Sequence, residues 1–108
     1  PKEWSDWGSR AVWQFPSVRS NDDHEAKFPL ELPRRVIKLL SGKGEIVLDC
    51  FMGSGTTAVA AMLEGRQYIG IEALEQYVNL SRANVEKATS SPLLSTKSEP
   101  VEALPTLF

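Results

Sequence analysis

The run Ile46-Val47-Leu48-Asp49-Cys50-Phe51-Met52-Gly53-Ser54-Gly55-Thr56-Thr57 restricts the fold of this chain more than any other stretch. Three apolar residues close on an acid and are followed by two glycines one residue apart. That order reads as a strand buried on both faces, as in a parallel sheet, that turns sharply into a helix. Residues 55–63 contain no breaker, set Val59, Met62 and Leu63 on one side, and meet Gly65 as a stop. Gln67 to Glu72 is then a second strand, again apolar until an acid ends it. Strand, helix and strand at this spacing are close to the smallest unit that joins two parallel strands by a right-handed crossover.

The flanks extend this unit without competing with it. Upstream, Pro33 opens a short helix with Val36, Ile37, Leu39 and Leu40 as its apolar members, and Gly42 stops it. The charged members, Arg34, Arg35 and Lys38 with Lys43 just beyond, form the one dense basic group, read as a solvated face ahead of a phosphate contact. Downstream, residues 74–88 carry Leu74, Tyr77, Val78, Val85 and Ala88 on one helical stripe. Residues 1–23 hold all three tryptophans among Ser, Asp, Asn and Gly. They read mostly as loop, with a short strand at Ala11 to Phe15 halted by Pro16. Residues 24–89 form the α/β region. From 90 to 108 the Ser, Pro, Thr and Glu content reads as a tail without its own core.

Bulk properties exclude some functions and leave others. A chain of 108 residues has room for one domain. Twelve Lys plus Arg against 14 Asp plus Glu, a net charge of -2, rules out a uniformly basic coat but permits a local basic face. Cys50 is the only cysteine, so no internal disulfide forms. No long apolar segment or signal pattern occurs, and the expected location is cytoplasmic, without a membrane partner.

The hairpin itself points to a cofactor. Gly53 and Gly55 let backbone approach a ligand, and the amides opening the next helix direct partial positive charge at it. Asp49 places a negative charge beside that positive helix end. The pairing disfavours a polyphosphate and suits a zwitterion such as the ammonium and carboxylate of S-adenosylmethionine. Glu72, ending the second strand, stands where an acid accepts both hydroxyls of a ribose. Two other readings stay open at this level. Gly53-Ser54-Gly55-Thr56-Thr57-Ala58 fits the dinucleotide pattern G-x-G-x-x-A, although Asp49, Phe51 and Met52 crowd the place a pyrophosphate would take. The glycines could also serve only a tight turn. A Walker phosphate loop is excluded, because G-x-x-x-x-G-K-[ST] does not occur.

Three stretches resemble a known family, the DNA amino-methyltransferases of the permuted class, which modify the exocyclic nitrogen of adenine or cytosine. His24-Glu25-Ala26-Lys27-Phe28-Pro29, followed by Leu32 and Arg35, is similar to motif ten, H-x-A-x-F-P. Asp49 to Thr57 resembles motif one, D-P-F-x-G-S-G-T-T, with Cys50 in place of proline. Gly70-Ile71-Glu72 matches the end of motif two. The order ten, one, two is that of the permuted class, and Val12-Trp13-Gln14-Phe15-Pro16 resembles the strand leading into motif ten. The resemblance implies a Rossmann-like S-adenosylmethionine-dependent methyltransferase fold, here partial, and DNA as the partner of the assembled enzyme. It implies that Asp49, Phe51, Gly53, Ser54, Gly55 and Thr56 line the methionine end of the cofactor. Glu72 would hold the ribose, and Phe28 with His24 would close the pocket. His24 is the only histidine, so no metal site is expected, and it reads as a structural hydrogen-bonding group.

One part of the family pattern has no counterpart. Motif four, D-P-P-Y or S-P-P-Y, supplies the groups that bind the target amine and stack on the extruded base. The nearest string, Ser91-Pro92-Leu93-Leu94, lacks the second proline and the aromatic. No catalytic residue is therefore assigned in this chain. The expectation is the carboxyl-terminal, cofactor-binding part of a methyltransferase, with motif four carried by another portion or polypeptide. Two strands with open edges also require a neighbour, either that catalytic half or a second copy. The alternatives are a non-catalytic S-adenosylmethionine-binding or regulatory subunit and, with Asp49 against it, a dinucleotide-binding oxidoreductase domain.

Overall fold

The computed structural model describes residues 2–16 and 28–90. In chain order these form a π-helical turn at Trp4–Gly8, helix α1 (Glu31–Leu40), strand β1 (Ile46–Asp49), helix α2 (Thr56–Leu63), strand β2 (Gln67–Gly70) and helix α3 (Glu75–Thr89). The class is α/β, as the sequence implies. β1 and β2 pair in parallel, with Ile46 opposite Gln67, Val47 opposite Tyr68, Leu48 opposite Ile69 and Asp49 opposite Gly70. Beyond the carboxyl ends, Ile71 N donates to Asp49 O and Met52 N to Ile71 O, both at 2.9 Å. The ladder thus runs on into the hairpin and draws it against the end of β2.

The core lies on one side of this pair. Ile37 of α1 and Ala60 and Ala61 of α2 are buried, with Leu30, Val47 and Tyr68 packed on them. Val47 and Tyr68 are register partners, so they share a face. The α2 stripe departs from expectation. Val59, Met62 and Leu63 are only half-buried, while Ala58, Ala60 and Ala61 are buried. This helix is apolar on every side, and its small residues admit α1, α3 and β2 together.

β1 also differs from a strand buried on both faces. Ile46 and Leu48, on the face opposite Val47, are 53% and 59% exposed. Helices of the described residues cover only the Val47 face, and the apolar character of the other side has no cover among them.

Helix α1 begins at Glu31, two residues before Pro33. A proline in the third helical position loses nothing, because the amides of the first turn have no intrahelical acceptor. Its buried line runs through Pro33 and Ile37, whereas Val36 and Leu40 face outward. Arg66, itself buried, fastens the far ends of two helices. Its guanidinium donates to Ser41 Oγ at 2.9 Å and Ser41 O at 2.5 Å after α1, and to Glu64 O at 2.6 Å after α2. The basic group on α1 pairs within the chain. Arg34 lies 2.6 Å from Glu64, Lys38 3.8 Å from the same carboxylate, and Arg35 3.1 Å from Glu31.

The lead-in segment packs on α1. The Arg35 guanidinium sits 5.1 Å from the Trp7 ring centroid, 5.7 Å from Trp13 and 4.7 Å from Phe15. Trp7 and Trp13 meet edge to face, and Trp13 Nε1 donates to Trp7 O at 2.9 Å. The expected strand at Ala11 to Phe15 does not form: these residues have no pairing partner among the described residues.

Candidate cofactor site

The site assembles where β1 and β2 end and α2 begins. Asp49 closes β1, half-buried, and its Oδ1 accepts the Phe51 amide at 2.9 Å. The chain then doubles back, with Gly55 N donating to Met52 O at 3.1 Å. Met52 is buried against Gly70, whose missing side chain leaves room for the methionine. Gly53 and Gly55 both have positive φ, 56° and 89°, a region that other residues enter only with strain.

Gly55 is also the residue at which α2 starts. Val59 N donates to Gly55 O at 3.0 Å as the first bond of that helix. The amides of Thr56, Thr57 and Ala58 therefore lack intrahelical acceptors, and a glycine cap offers no side chain to supply one. They form a preset group of donors with the positive end of the helix behind them.

Glu72 lies just past β2 and joins the hairpin to α3. Its Oε2 accepts Gly53 N at 2.8 Å and its Oε1 accepts Leu74 N at 3.1 Å. The same carboxylate lines a cleft between β2 and α3 together with Met52, Tyr68, Gly70, Val78 and Ser81. Each oxygen keeps a further acceptor position, so the group can bind a diol without releasing the backbone. No cluster of His, Cys, Asp and Glu able to hold a metal exists among the described residues.

Not every residue singled out from the sequence joins this group. Asp49, Gly53, Ser54, Gly55, Thr56 and Glu72 do. Phe51 is adjacent but 90% exposed, and Phe28 stands exposed before α1 without a ring contact to the hairpin. His24 lies outside the described residues, as does the tail at 91–108. Two α3 residues join the site without any mark in the sequence. Asn84 Nδ2 donates to Ser54 O at 2.8 Å, and the backbone of Ser81 lies directly behind Gly55. An asparagine within a helix carries no periodic or motif signal that would single it out.

The residues fit S-adenosylmethionine. The uncapped amides of Thr56, Thr57 and Ala58 would suit a carboxylate, Asp49 an ammonium, and the open acceptor positions of Glu72 a ribose diol. The sequence profile of the DNA methylase family matches residues 2–83, and this chain belongs to that family. Type II methyltransferase M.BglI of Bacillus subtilis is 66% identical over 85 residues, which are 79% of this chain and 24% of that protein. DNA adenine methyltransferase YhdJ of Escherichia coli K12 is 38% identical over 82 residues, 72% of this chain and 28% of that protein. Among solved structures, TTHA0409 of Thermus thermophilus, assigned as a DNA modification methylase, superposes with a TM-score of 0.68. That match is 35% identical and covers 83% of this chain and 36% of the other. In its complex with S-adenosyl-L-methionine the TM-score is 0.57 at 38% identity, over 58% of this chain and 26% of that one. The chain thus spans about a quarter to a third of the length of its relatives.

Proposed function

We propose that this chain is the S-adenosylmethionine-binding part of a DNA methyltransferase of the permuted class, acting on the exocyclic amine of adenine or cytosine. The observation that carries the reading is the uncapped start of α2 beside Glu72. Free amides and a diol-binding carboxylate lie on either side of one glycine hairpin. A dinucleotide is disfavoured, because a pyrophosphate at those amides would meet the Asp49 carboxylate. When bound, the cofactor supplies an electrophilic methyl group. Held by Asp49, Glu72 and the amides of Thr56, Thr57 and Ala58, it would give that methyl to the target nitrogen, with a thioether as the leaving group and the amine proton passing to the catalytic portion or to solvent. The flipped base is oriented by that portion, which carries motif four.

The uncovered sheet face supports a missing partner surface. Ile46 and Leu48 are exposed on one face of β1, whose outer edge has no pairing partner among the described residues, and a buried parallel sheet has neither feature. A portion bearing motif four, or a second copy of this chain, would cover that face.

Calorimetry on the 108-residue chain tests the reading. Adenosylmethionine and adenosylhomocysteine should bind, Asp49→Ala should weaken both, and a nicotinamide dinucleotide should not bind. Preference for the dinucleotide would refute the cofactor assignment. DNA methylation by this chain alone would refute the placement of motif four elsewhere.

A further inference from the structure

The hairpin is held from two sides by side chains with different jobs. Glu72 accepts the Gly53 amide on the side of β2. Asn84, half-buried on α3, donates to the carbonyl of the next residue, Ser54, at 2.8 Å. The Ser54–Gly55 peptide is therefore fixed at both ends, its carbonyl by Asn84 and its N–H by Met52 O at 3.1 Å. A peptide bond is planar, so fixing both groups fixes the direction in which the chain leaves it. The chain leaves through Gly55, with φ at 89°, into the unpaired amides of α2. The close approach agrees, since a side chain at Gly55 would stand 2.7 Å from Ser81 Cβ and 2.9 Å from Ser81 Cα. α3 thus presses on the hairpin at the two residues that set the direction of the helix start.

We propose that Asn84 is a positioning residue for the methionine end of the cofactor, acting through the Ser54 carbonyl on the amides of Thr56, Thr57 and Ala58. The inference rests on the cofactor reading above. It separates two halves of one ligand. Asn84 governs the carboxylate end through Ser54, while the nucleoside end is governed by Glu72, whose carboxylate accepts the amides of Gly53 and Leu74.

Two probes that differ only in the amino-acid head divide these roles. Adenosylhomocysteine carries the carboxylate and ammonium, and methylthioadenosine lacks both. Calorimetry is run with each on the full chain and on Asn84→Leu, which keeps the approximate size and removes the donor. Adenosylhomocysteine should bind about tenfold more weakly to the variant, the equivalent of ~1.4 kcal/mol. Methylthioadenosine should keep its affinity within about twofold. Asn84→His, which restores an N–H donor near the same position, should recover most of the loss. If Asn84→Leu does not fold, Asn84→Asp, of equal shape and also without a donor when ionised, reads the same difference between probes. Equal losses for both probes, or no loss for adenosylhomocysteine, would overturn the role of Asn84 alone. Failure of the unsubstituted chain to bind either probe would overturn the cofactor reading and this inference with it.

Discussion

Gly55→Ala brings two independent penalties to one position. The residue holds φ at 89°, where a side chain on an L-residue costs about 1–2 kcal/mol. The new Cβ would also lie 2.7 Å from Ser81 Cβ and 2.9 Å from Ser81 Cα. The nearest atoms belong to the root of a side chain on a 15-residue helix, not to a flexible tip, so α3 itself must shift. Forcing atoms into packed space of this kind costs about 1–3 kcal/mol. The two together come to about 2–5 kcal/mol, against a total of roughly 5–15 kcal/mol for a domain of this size. Gly44→Ala provides the reference. Its φ is 82°, close to that of Gly55, but nothing lies within 4 Å of the added carbon. Urea denaturation followed by circular dichroism should place Gly44→Ala about 1–2 kcal/mol below the parent chain. Gly55→Ala should fall a further 1–3 kcal/mol, about 4 °C or more in a parallel thermal melt. Equal losses for the two variants would refute the claim that α3 closes on the hairpin.

Three other perturbations read separate parts of the fold. Arg66→Met removes the donors shared by Ser41 and Glu64, and should lower stability by about 2–4 kcal/mol in urea melts; Arg66→Lys should recover little, because one ammonium cannot serve three separated acceptors. Arg35→Ala should loosen the lead-in from α1, with a red shift of tryptophan emission and a loss of about 1–2 kcal/mol. Leu48→Glu on the uncovered face should leave the chain's own melting within about 0.5 kcal/mol of the parent. The same change should abolish restoration of methylation when a motif-four portion is supplied in trans; unchanged restoration would place the contact elsewhere.

Much of the architecture is legible in the sequence, because local signals and long-range packing agree over residues 46–89. Asp49 and the two hairpin glycines announce a strand end and a tight turn by residue type alone, whereas β2 ends at Gly70, two residues before the acid expected to close it. Pro33 marks a helix but misplaces its start, since proline is tolerated throughout the first turn and fixes no single position in it. Ile46 and Leu48 predict burial on both faces. Their apolar character reflects a surface that the described residues do not provide, so single-chain periodicity cannot distinguish cover by the chain's own helices from cover by another portion. Asn84 is silent for a different reason. Its role depends on the approach of α3 to Ser54, a tertiary relation between residues 30 apart that no local pattern encodes. Glu72 is legible as an acid following an apolar run, but not as the group that also holds Gly53.

The glycine that opens α2 leaves that helix without a cap of its own, and its completion falls to whatever anion settles there. Binding and folding then draw on the same free energy. A ligand present at a hundred times its dissociation constant adds about 2.7 kcal/mol to the folded state, a large share of the margin of so small a chain. Depletion of that ligand would then leave the chain more open to proteolysis.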